Sequence, residues 1–141
     1  FTGLPALADD TGLEVDALGG APGVYSSRYA GENVTYRENY EKLLREMKGV
    51  PADKRTARFR CVVAIAWTLD DVQMAEGVAE GLITEDSIGE KGFGYDPVFY
   101  FPPLRKRFSE MTVEEKNRVS HRGNAVRAAR NLIAARLKHH D

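Results

Sequence analysis

Apolar side chains recur at helical spacing between residues 36 and 50. Thr35 and Glu38 fit a capping box, which predicts that a helix begins directly after Thr35. The apolar positions that follow lie on one face of this helix, at i, i+3, i+4 and i+7: Tyr40, Leu43, Leu44 and Met47. Gly49 and Pro51 predict its end.

Two further helices are predicted in the last third of the chain. Thr112 and Glu115 form a second capping box, which favours a short helix over residues 113–118. Ser120 is the predicted N-cap of the final helix. Its apolar positions recur at helical spacing: Val126, Ala129, Ile133 and Leu137.

The remaining apolar segments have the pattern of strands. Residues 57–67 first alternate basic and apolar and then become continuously apolar, which predicts a long strand whose second half is buried on both faces. Residues 72–83 predict an antiparallel return strand, and residues 98–101 a short aromatic one. The opening residues 4–10 predict a strand that ends at a functional loop. Strands and helices therefore interleave, which indicates an α/β domain.

Composition limits the classes of partner. The 141 residues suffice for one domain, and we expect a single domain over residues 1–141. Twenty basic and 21 acidic side chains leave a net charge of −1, which argues against a nucleic-acid backbone as partner. The longest apolar run, residues 61–67, is far shorter than the ~20 residues that cross a bilayer. The single cysteine, Cys61, lies in that run and favours a reduced, cytoplasmic protein.

An acidic pair, Asp9 and Asp10, follows the first apolar segment. Adjacent carboxylates repel each other unless a cation offsets their charge, and Mg²⁺ prefers carboxylate oxygens together with substrate phosphates. The residues from Asp9 to Gly12 are also typical of an ordinary turn, so the residues alone leave both interpretations open.

A glycine-rich segment covers residues 89–97. Its glycines allow a ligand to approach the backbone closely, and Phe93 and Tyr95 are large enough to stack on a flat ring. Asp96 is an acceptor whose backbone is restrained by the proline that follows. The alternative is a hairpin with two aromatic side chains in the core.

Cationic side chains cluster at the start of the final helix. His121 and Arg122 occupy its first positions, where the helix dipole disfavours positive charge. The arrangement is more favourable if an electron-rich group binds there, and Lys116, His121 and Arg122 could then donate to a carbonyl or phosphate oxygen. The alternative is a basic face exposed to solvent.

Four segments, in this order, closely resemble the inosine triphosphate pyrophosphatase family, which removes non-canonical purine nucleoside triphosphates. They are LADDTGLEV at residues 7–15, GAPGVYSSRYAG at 20–31, GFGYDP at 92–97 and Ser120-His121-Arg122. The resemblance runs over nearly the whole chain. It implies an α/β fold with a long curved mixed central sheet, flanked by helices, and two lobes with an active-site cleft between them.

The resemblance also implies an activity and the residues that carry it. Family members typically form homodimers, use Mg²⁺ and cleave ITP, dITP or XTP to the monophosphate and pyrophosphate. By similarity Asp10 is the proton acceptor and a metal ligand, with Asp9 as a second candidate ligand. The residues that match substrate contacts are Thr11, Phe93, Gly94, Tyr95, Asp96, Lys116, His121 and Arg122.

One family feature is absent from the 141 residues. Ahead of the acidic segment the family has a strand and a Ser/Thr-Gly-Asn-x-x-Lys loop that grips the triphosphate. We therefore expect the domain to be incomplete at its N-terminal end. The alternatives are a non-catalytic fragment that binds purine nucleotides, and an interaction domain in which the motifs are coincidental.

Overall fold

The computed structural model describes residues 6–88 and 94–138. These residues form a six-stranded sheet in the order β2-β1-β3-β4-β5-β6, with antiparallel pairing at every described strand pair. The strands are β1 (Ala6–Val15), β2 (Pro22–Gly23), β3 (Thr56–Thr68), β4 (Asp71–Ile83), β5 (Phe99–Phe101) and β6 (Lys106–Arg107). The α-helices are α1 (Tyr36–Glu46), α2 (Val113–Val119) and α3 (His121–Lys138). The predicted α/β class is confirmed.

Strands β3 and β4 form the long central hairpin that the sequence predicts. Odd-numbered residues of β3 from Ala57 to Ile65 are buried, whereas Val62 and Ala64 on the other face are half-buried. The prediction that the second half of β3 is buried on both faces is therefore wrong. Helix α3 covers one face of the hairpin, and no described element covers the other face at these positions.

Strand β1 runs straight through the acidic pair. Asp9 pairs with Val63 and Asp10 with Val62 in the antiparallel register to β3, and the strand continues to Val15. The prediction that this strand ends at Asp10, and the alternative of an ordinary turn at the acidic pair, are both wrong. The reason is that ladder pairing with an apolar strand outweighs the local turn preference of Asp, Thr and Gly.

The N-terminal capping boxes of α1 and α2 form as the sequence predicts. The Thr35 side chain accepts a hydrogen bond from the Glu38 backbone, and Thr112 does the same for Glu115. The apolar stripe of α1 packs in the main core with Leu13, Phe59 and other buried side chains. The start of each helix is therefore set by hydrogen bonds within its own first turn.

Helix α3 begins where the sequence predicts but buries a different face. The Ser120 hydroxyl accepts a hydrogen bond from Gly123 N at 3.0 Å, which confirms the predicted cap. Ala125 and Ala129 are the buried residues of its interface with the sheet, whereas Val126 is exposed. The predicted stripe was wrong at Val126 and Leu137, because the helix lies so close to β4 that only small side chains fit between them.

A buried arginine, which the sequence pattern did not reveal, fastens the hairpin to α1. Arg55 donates hydrogen bonds to the carbonyl oxygens of Met47, Val50, Ile83 and Thr84, at 2.7 to 3.1 Å.

None of the helices in the described part of the chain combines the length and apolarity that a membrane crossing requires.

Candidate active site

A cavity of about 670 Å³ opens between the sheet and the corner where α2 meets α3. Strand β1, the turn at Ser26 and Ser27, the segment after the glycine loop and the α2–α3 corner all contribute side chains to its wall. A cavity of this volume is within the range of small-molecule and cofactor sites. Segments that are far apart in sequence thus meet at one place.

The cavity gathers most of the residues that the sequence nominated. Those that line it are Thr11, Gly94, Tyr95, Asp96, Lys116, His121 and Arg122. Asp9 lies close by, because its carboxylate forms an ion pair with Arg122. Phe93, also nominated, lies outside the described residues. Thr11, the segment from Gly94 to Asp96 and the cationic group at the α2–α3 corner therefore border one cavity, whereas neither Asp9 nor Asp10 is among its lining residues.

Strand alternation separates the two acidic side chains. Thr11 pairs with Cys61 and Asp9 with Val63, so both share the sheet face that bears the cavity and α3. Asp10 pairs with Val62 and projects from the opposite face, where it is exposed. Among the described residues Asp10 has no ion-pair partner, so its carboxylate is free to accept an external ligand.

His121 is buried in an aromatic stack. Its ring lies 4.6 Å from the Phe59 ring and 6.3 Å from the Phe108 ring, nearly parallel to both. Burial lowers the pKa of His121 to about 4, with a smaller contribution from the positive charges of Lys116 and Arg122. The imidazole is therefore neutral near pH 7 and offers one N–H donor and one acceptor nitrogen.

One ring nitrogen of His121 has no hydrogen-bond partner within the described part of the chain. Nδ1 is buried and unpartnered, although buried polar atoms in folded proteins are generally satisfied. His121 itself lines the cavity, so its ring is placed to contact a molecule that binds there.

A second polar pair lies beside the histidine. Asp96 is 2% exposed, and its carboxylate forms a salt bridge with the ammonium of Lys116. The same ammonium lies 5.9 Å from the centre of the Phe108 ring. A buried charge is tolerated when it is paired, so Lys116 and Asp96 hold each other at the cavity wall.

A hydrogen bond from Tyr95 connects the end of the glycine-rich segment to the turn that follows β2. Its hydroxyl donates to the carbonyl oxygen of Ser26 at 2.7 Å. The Ser26 hydroxyl in turn accepts from Leu13 N at 3.0 Å and donates to the Gly23 carbonyl at 2.6 Å. Burial, with a smaller effect of nearby Tyr29, raises the pKa of Tyr95, so its hydroxyl stays protonated and able to donate.

Several wall residues were not nominated from the sequence. Ser26, Ser27 and Asn39 line the cavity together with the aromatic rings of Phe59 and Phe108. Asn39 is buried, accepts from Ala30 N at 2.8 Å and donates to the Ser27 carbonyl at 3.0 Å. The sequence offered one signal for Asn39, because it is a polar residue directly beside the apolar stripe of α1. No local pattern marked Phe59 and Phe108 as cavity residues.

The donor set limits what metal this chain can hold. Within the described residues no group of three or more His, Cys, Asp or Glu side chains is placed to hold a metal ion. That excludes a closed protein cage of the zinc type there, but it suits Mg²⁺, which takes one or two carboxylates and completes its shell with phosphates and water. Asp10, which has no ion-pair partner within the described chain, offers one exposed carboxylate of this kind, on the sheet face opposite the cavity.

Comparison with known proteins decides the family. The sequence model of the Ham1 family matches residues 1–132. The chain belongs to the Ham1 family. Curated relatives carry the name dITP/XTP pyrophosphatase. The chain is 55% identical to the one from Desulforamulus reducens over 133 residues, and 52% identical to the one from Salmonella typhimurium over 129 residues.

These alignments cover 94% and 90% of this chain and 66% of each relative. The chain therefore spans about 66% of the length of these curated relatives.

Solved structures of Ham1 proteins have the same fold as this chain. The Staphylococcus aureus Ham1 protein superposes with a TM-score of 0.86 at 41% identity, over 99% of this chain and 70% of that one. A HAM1 protein from Coxiella burnetii superposes with a TM-score of 0.88 at 43% identity, over 95% of this chain and 69% of that one.

Proposed function

We propose that this Ham1 protein hydrolyses non-canonical purine nucleoside triphosphates, namely ITP, dITP and XTP, to the nucleoside monophosphate and pyrophosphate. One observation carries the proposal: Thr11, the segment Gly94 to Asp96 and the group Lys116, His121 and Arg122 line a single cavity of about 670 Å³. The relatives named dITP/XTP pyrophosphatase support the same substrate class.

Recognition of the base follows from the donors at the α2–α3 corner. Hypoxanthine and xanthine carry a 6-oxo acceptor, whereas adenine carries a 6-amino donor. Arg122, Lys116 and an N–H of neutral His121 would pair with the oxo group and would leave a donor facing a donor in ATP. An unpaired buried polar group allows discrimination of about 10⁴. Tyr95, and by the family resemblance Phe93, add apolar surface for any base.

Asp10 is the proposed proton acceptor. A water that attacks the triphosphate must lose a proton as its oxygen bonds to phosphorus, and the exposed Asp10 carboxylate can accept that proton. Because Asp10 projects from the sheet face opposite Thr11, the water and the reacting phosphate would lie at the outer edge of β1, where no described strand pairs with Asp10 on the side away from β3. The Thr11 hydroxyl lies on the cavity side of β1, where it can donate to a phosphate oxygen. The bond that breaks joins the α- and β-phosphates, and pyrophosphate leaves.

A divalent cation belongs to this proposal, and Mg²⁺ is the ion that we propose. Asp10 would hold it, with Asp9 as the second candidate, and bound Mg²⁺ would neutralise charge on the phosphates. Because Arg122 already engages Asp9, Asp10 is the more available ligand. Four further expectations stay predictions: a single domain over residues 1–141, homodimer formation, the absence of a nucleic-acid partner and a cytoplasmic location. Sedimentation velocity tests the dimer.

Pyrophosphate release tests the function. The intact protein should release pyrophosphate from ITP, dITP and XTP with kcat/KM at least about 10²-fold above ATP, because the 6-amino group is mispaired. Removal of Mg²⁺ with EDTA should abolish release, and added Mg²⁺ should restore it. Equal kcat/KM for ITP and ATP would contradict the proposal. Binding of ITP without hydrolysis by the intact protein would instead support the non-catalytic alternative.

A further inference from the structure

Helix α3 rests directly on strand β4 at Gly77. A Cβ atom added there would lie 2.1 Å from the His121 carbonyl oxygen and 2.2 Å from Ala125 N. Both atoms belong to the helix backbone, so no side-chain rotation could relieve the overlap. The missing side chain of Gly77 therefore sets how closely the first turn of α3 approaches the sheet.

Space, not backbone conformation, explains the glycine at this position. Gly77 lies within the regular ladder of β4, opposite Cys61, and is not among the residues with positive φ. A strand glycine of this kind marks the close approach of another backbone. Gly81 is a second example on the same strand, but there the neighbours are the Tyr100 carbonyl and the Phe99 ring, not α3.

A hydrogen bond holds the helix at the same depth. Asn124 Nδ2 donates to the Val78 carbonyl at 3.0 Å, one residue along the strand from Gly77. Strand β5 pairs with β4 at Leu82 and Ile83, so Val78 lies outside that pairing and its carbonyl is open to this side chain. Ala125, the next residue of the helix, is fully buried against the strand.

The corner between α2 and α3 is equally tight. A Cβ at Gly123 would lie 2.0 Å from the Asn117 carbonyl oxygen. The spacing of Lys116 on α2 from His121 on α3 therefore depends on close backbone contact at Gly123. Together, the contacts at Gly77 and Gly123 restrain the first turn of α3 from two directions.

We propose that Gly77 is a positioning residue for base selection: its bare Cα lets His121 and Arg122 reach the cavity at the depth needed to read the 6-position of a purine. Gly77 is not among the residues that line the cavity, so it acts through the helix. His121 stacks on Phe59, which pairs with Ala79 on the same strand, so a shift of the helix away from β4 would also disturb that stack.

A side chain at position 77 should displace helix α3 from β4 by a distance that matters for catalysis. A Cβ contact of 2.1 Å must open by at least about 1.3 Å to reach the 3.4 Å at which ordinary van der Waals contact begins. A misplacement of about 1 Å can already cost about 10²-fold in rate. Helix α3 carries two of the three base-reading donors, His121 and Arg122, whereas Asp10 lies on β1. The loss should therefore fall on recognition of the base more than on the chemical step.

The proposal rests on the proposed function and is tested with Gly77→Ala in the intact protein. We expect the ratio of kcat/KM for ITP to that for ATP to fall about 10- to 100-fold, mainly through a higher KM for ITP. The His121 ring protons should also lose the ring-current shift that stacking on Phe59 produces, observed by NMR without substrate. Met74→Ala is the control, since Met74 is an exposed residue of β4 on the sheet face opposite α3. It should keep both the ratio and the shift.

Asn124→Ala is the second variant, which keeps the test decisive if Gly77→Ala does not fold. It removes the hydrogen bond to Val78. It should raise the KM for ITP and reduce the ring-current shift of His121, each by less than Gly77→Ala does. Unchanged His121 shifts and an unchanged ITP-to-ATP ratio in the folded variants would overturn the positioning role of Gly77. A wild-type protein that neither binds nor cleaves ITP would overturn the proposed function instead. The NMR shifts of His121, measured without substrate, would still report whether Gly77 determines the position of the His121 ring.

Discussion

Arg122 and Asp9 bridge the start of α3 and strand β1, with Nη2 of the arginine 3.3 Å from Oδ2 of the aspartate. Asp10, the next residue, projects from the opposite face of the same strand. Two adjacent carboxylates thus have different surroundings: one is paired with a cation beside the cavity, and the other is open to solvent. This difference separates their expected roles.

Asp9→Asn should therefore affect binding more than catalysis. The ion pair is exposed at both ends, and exposed pairs contribute about 0.2–1 kcal/mol, so the KM for ITP should rise no more than about 5-fold. The Mg²⁺ concentration that gives half-maximal rate should stay unchanged, because Arg122 and not a metal ion holds this carboxylate. Steady-state kinetics with a Mg²⁺ titration measures both quantities.

Asp10→Asn is the matched variant, since it changes the neighbouring carboxylate in the same way. Loss of a general base costs about 10² to 10⁴ in kcat, so turnover should fall by that factor while ITP still binds. A shift in the Mg²⁺ requirement caused by Asp9→Asn, with none caused by Asp10→Asn, would reverse the two assignments.

The buried histidine predicts a specific pH dependence of stability. The pKa of His121 is about 4 in the folded protein and about 6.5 when exposed, so the unfolded state binds the additional proton between these values. Stability from neutral His121 is fully present above pH 6.5 and is lost as the pH falls from 6.5 to 4. The loss amounts to about 3 kcal/mol over that interval.

His121→Phe tests this directly, because phenylalanine keeps the stack on Phe59 and cannot titrate. Urea unfolding between pH 4 and 7 should show that the variant loses less stability than the wild type on acidification. At pH 7 it should be at least as stable, since the unpartnered Nδ1 is gone, but it should discriminate less between ITP and ATP. Parallel pH profiles for the two proteins would show that His121 does not carry the effect.

The predictable part of the fold is local. The capping boxes at Thr35 and Thr112 could be identified from two residues each, because the hydrogen bonds that they make stay within one turn. The β3–β4 hairpin was predictable from a long apolar run and a turn. The site residues from Gly94 to Asp96 and the group Lys116, His121 and Arg122 were nominated from their residue types, but those types alone left a core hairpin and a solvent-exposed basic face open as alternatives. The order of the motifs, and the family that they resemble, favoured the site.

What the sequence pattern missed depends on contacts between distant segments. Ladder pairing with β3 keeps Asp9 and Asp10 in a strand, and no property of the pair itself signals this. The buried face of α3 is chosen by the space above Gly77, so alanines pack inward and Val126 faces out. No sequence pattern marked Arg55 as buried, yet it donates to four carbonyl groups from two separate regions.

Tyr95→Phe should separate loop anchoring from base contact. The variant keeps the ring and loses the hydrogen bond to the Ser26 carbonyl, which should cost about 1 kcal/mol of unfolding free energy. Because the ring remains, the KM for ITP should change less than about 3-fold if the ring supplies apolar contact to the base. Chemical denaturation and ITP kinetics measure the two effects. A large rise in KM without loss of stability would show that the hydroxyl itself contacts the substrate.

Removal of one partner of the Lys116–Asp96 salt bridge should cost more stability than removal of one partner of an exposed pair among the described residues. Asp96 is almost fully buried, so Lys116→Met would leave a buried carboxylate without its cation, at a cost of about 3 kcal/mol. Lys106→Met is the matched control, because Lys106 pairs with Glu115 while its side chain is 40% exposed, and it should cost less than about 1 kcal/mol. Asp96→Asn combined with Lys116→Met should recover part of the loss, since the amide carries no charge to bury. Equal destabilisation by Lys116→Met and Lys106→Met in urea unfolding would refute the burial argument, and full ITP hydrolysis by Lys116→Met would remove Lys116 from the proposed set of base-reading donors.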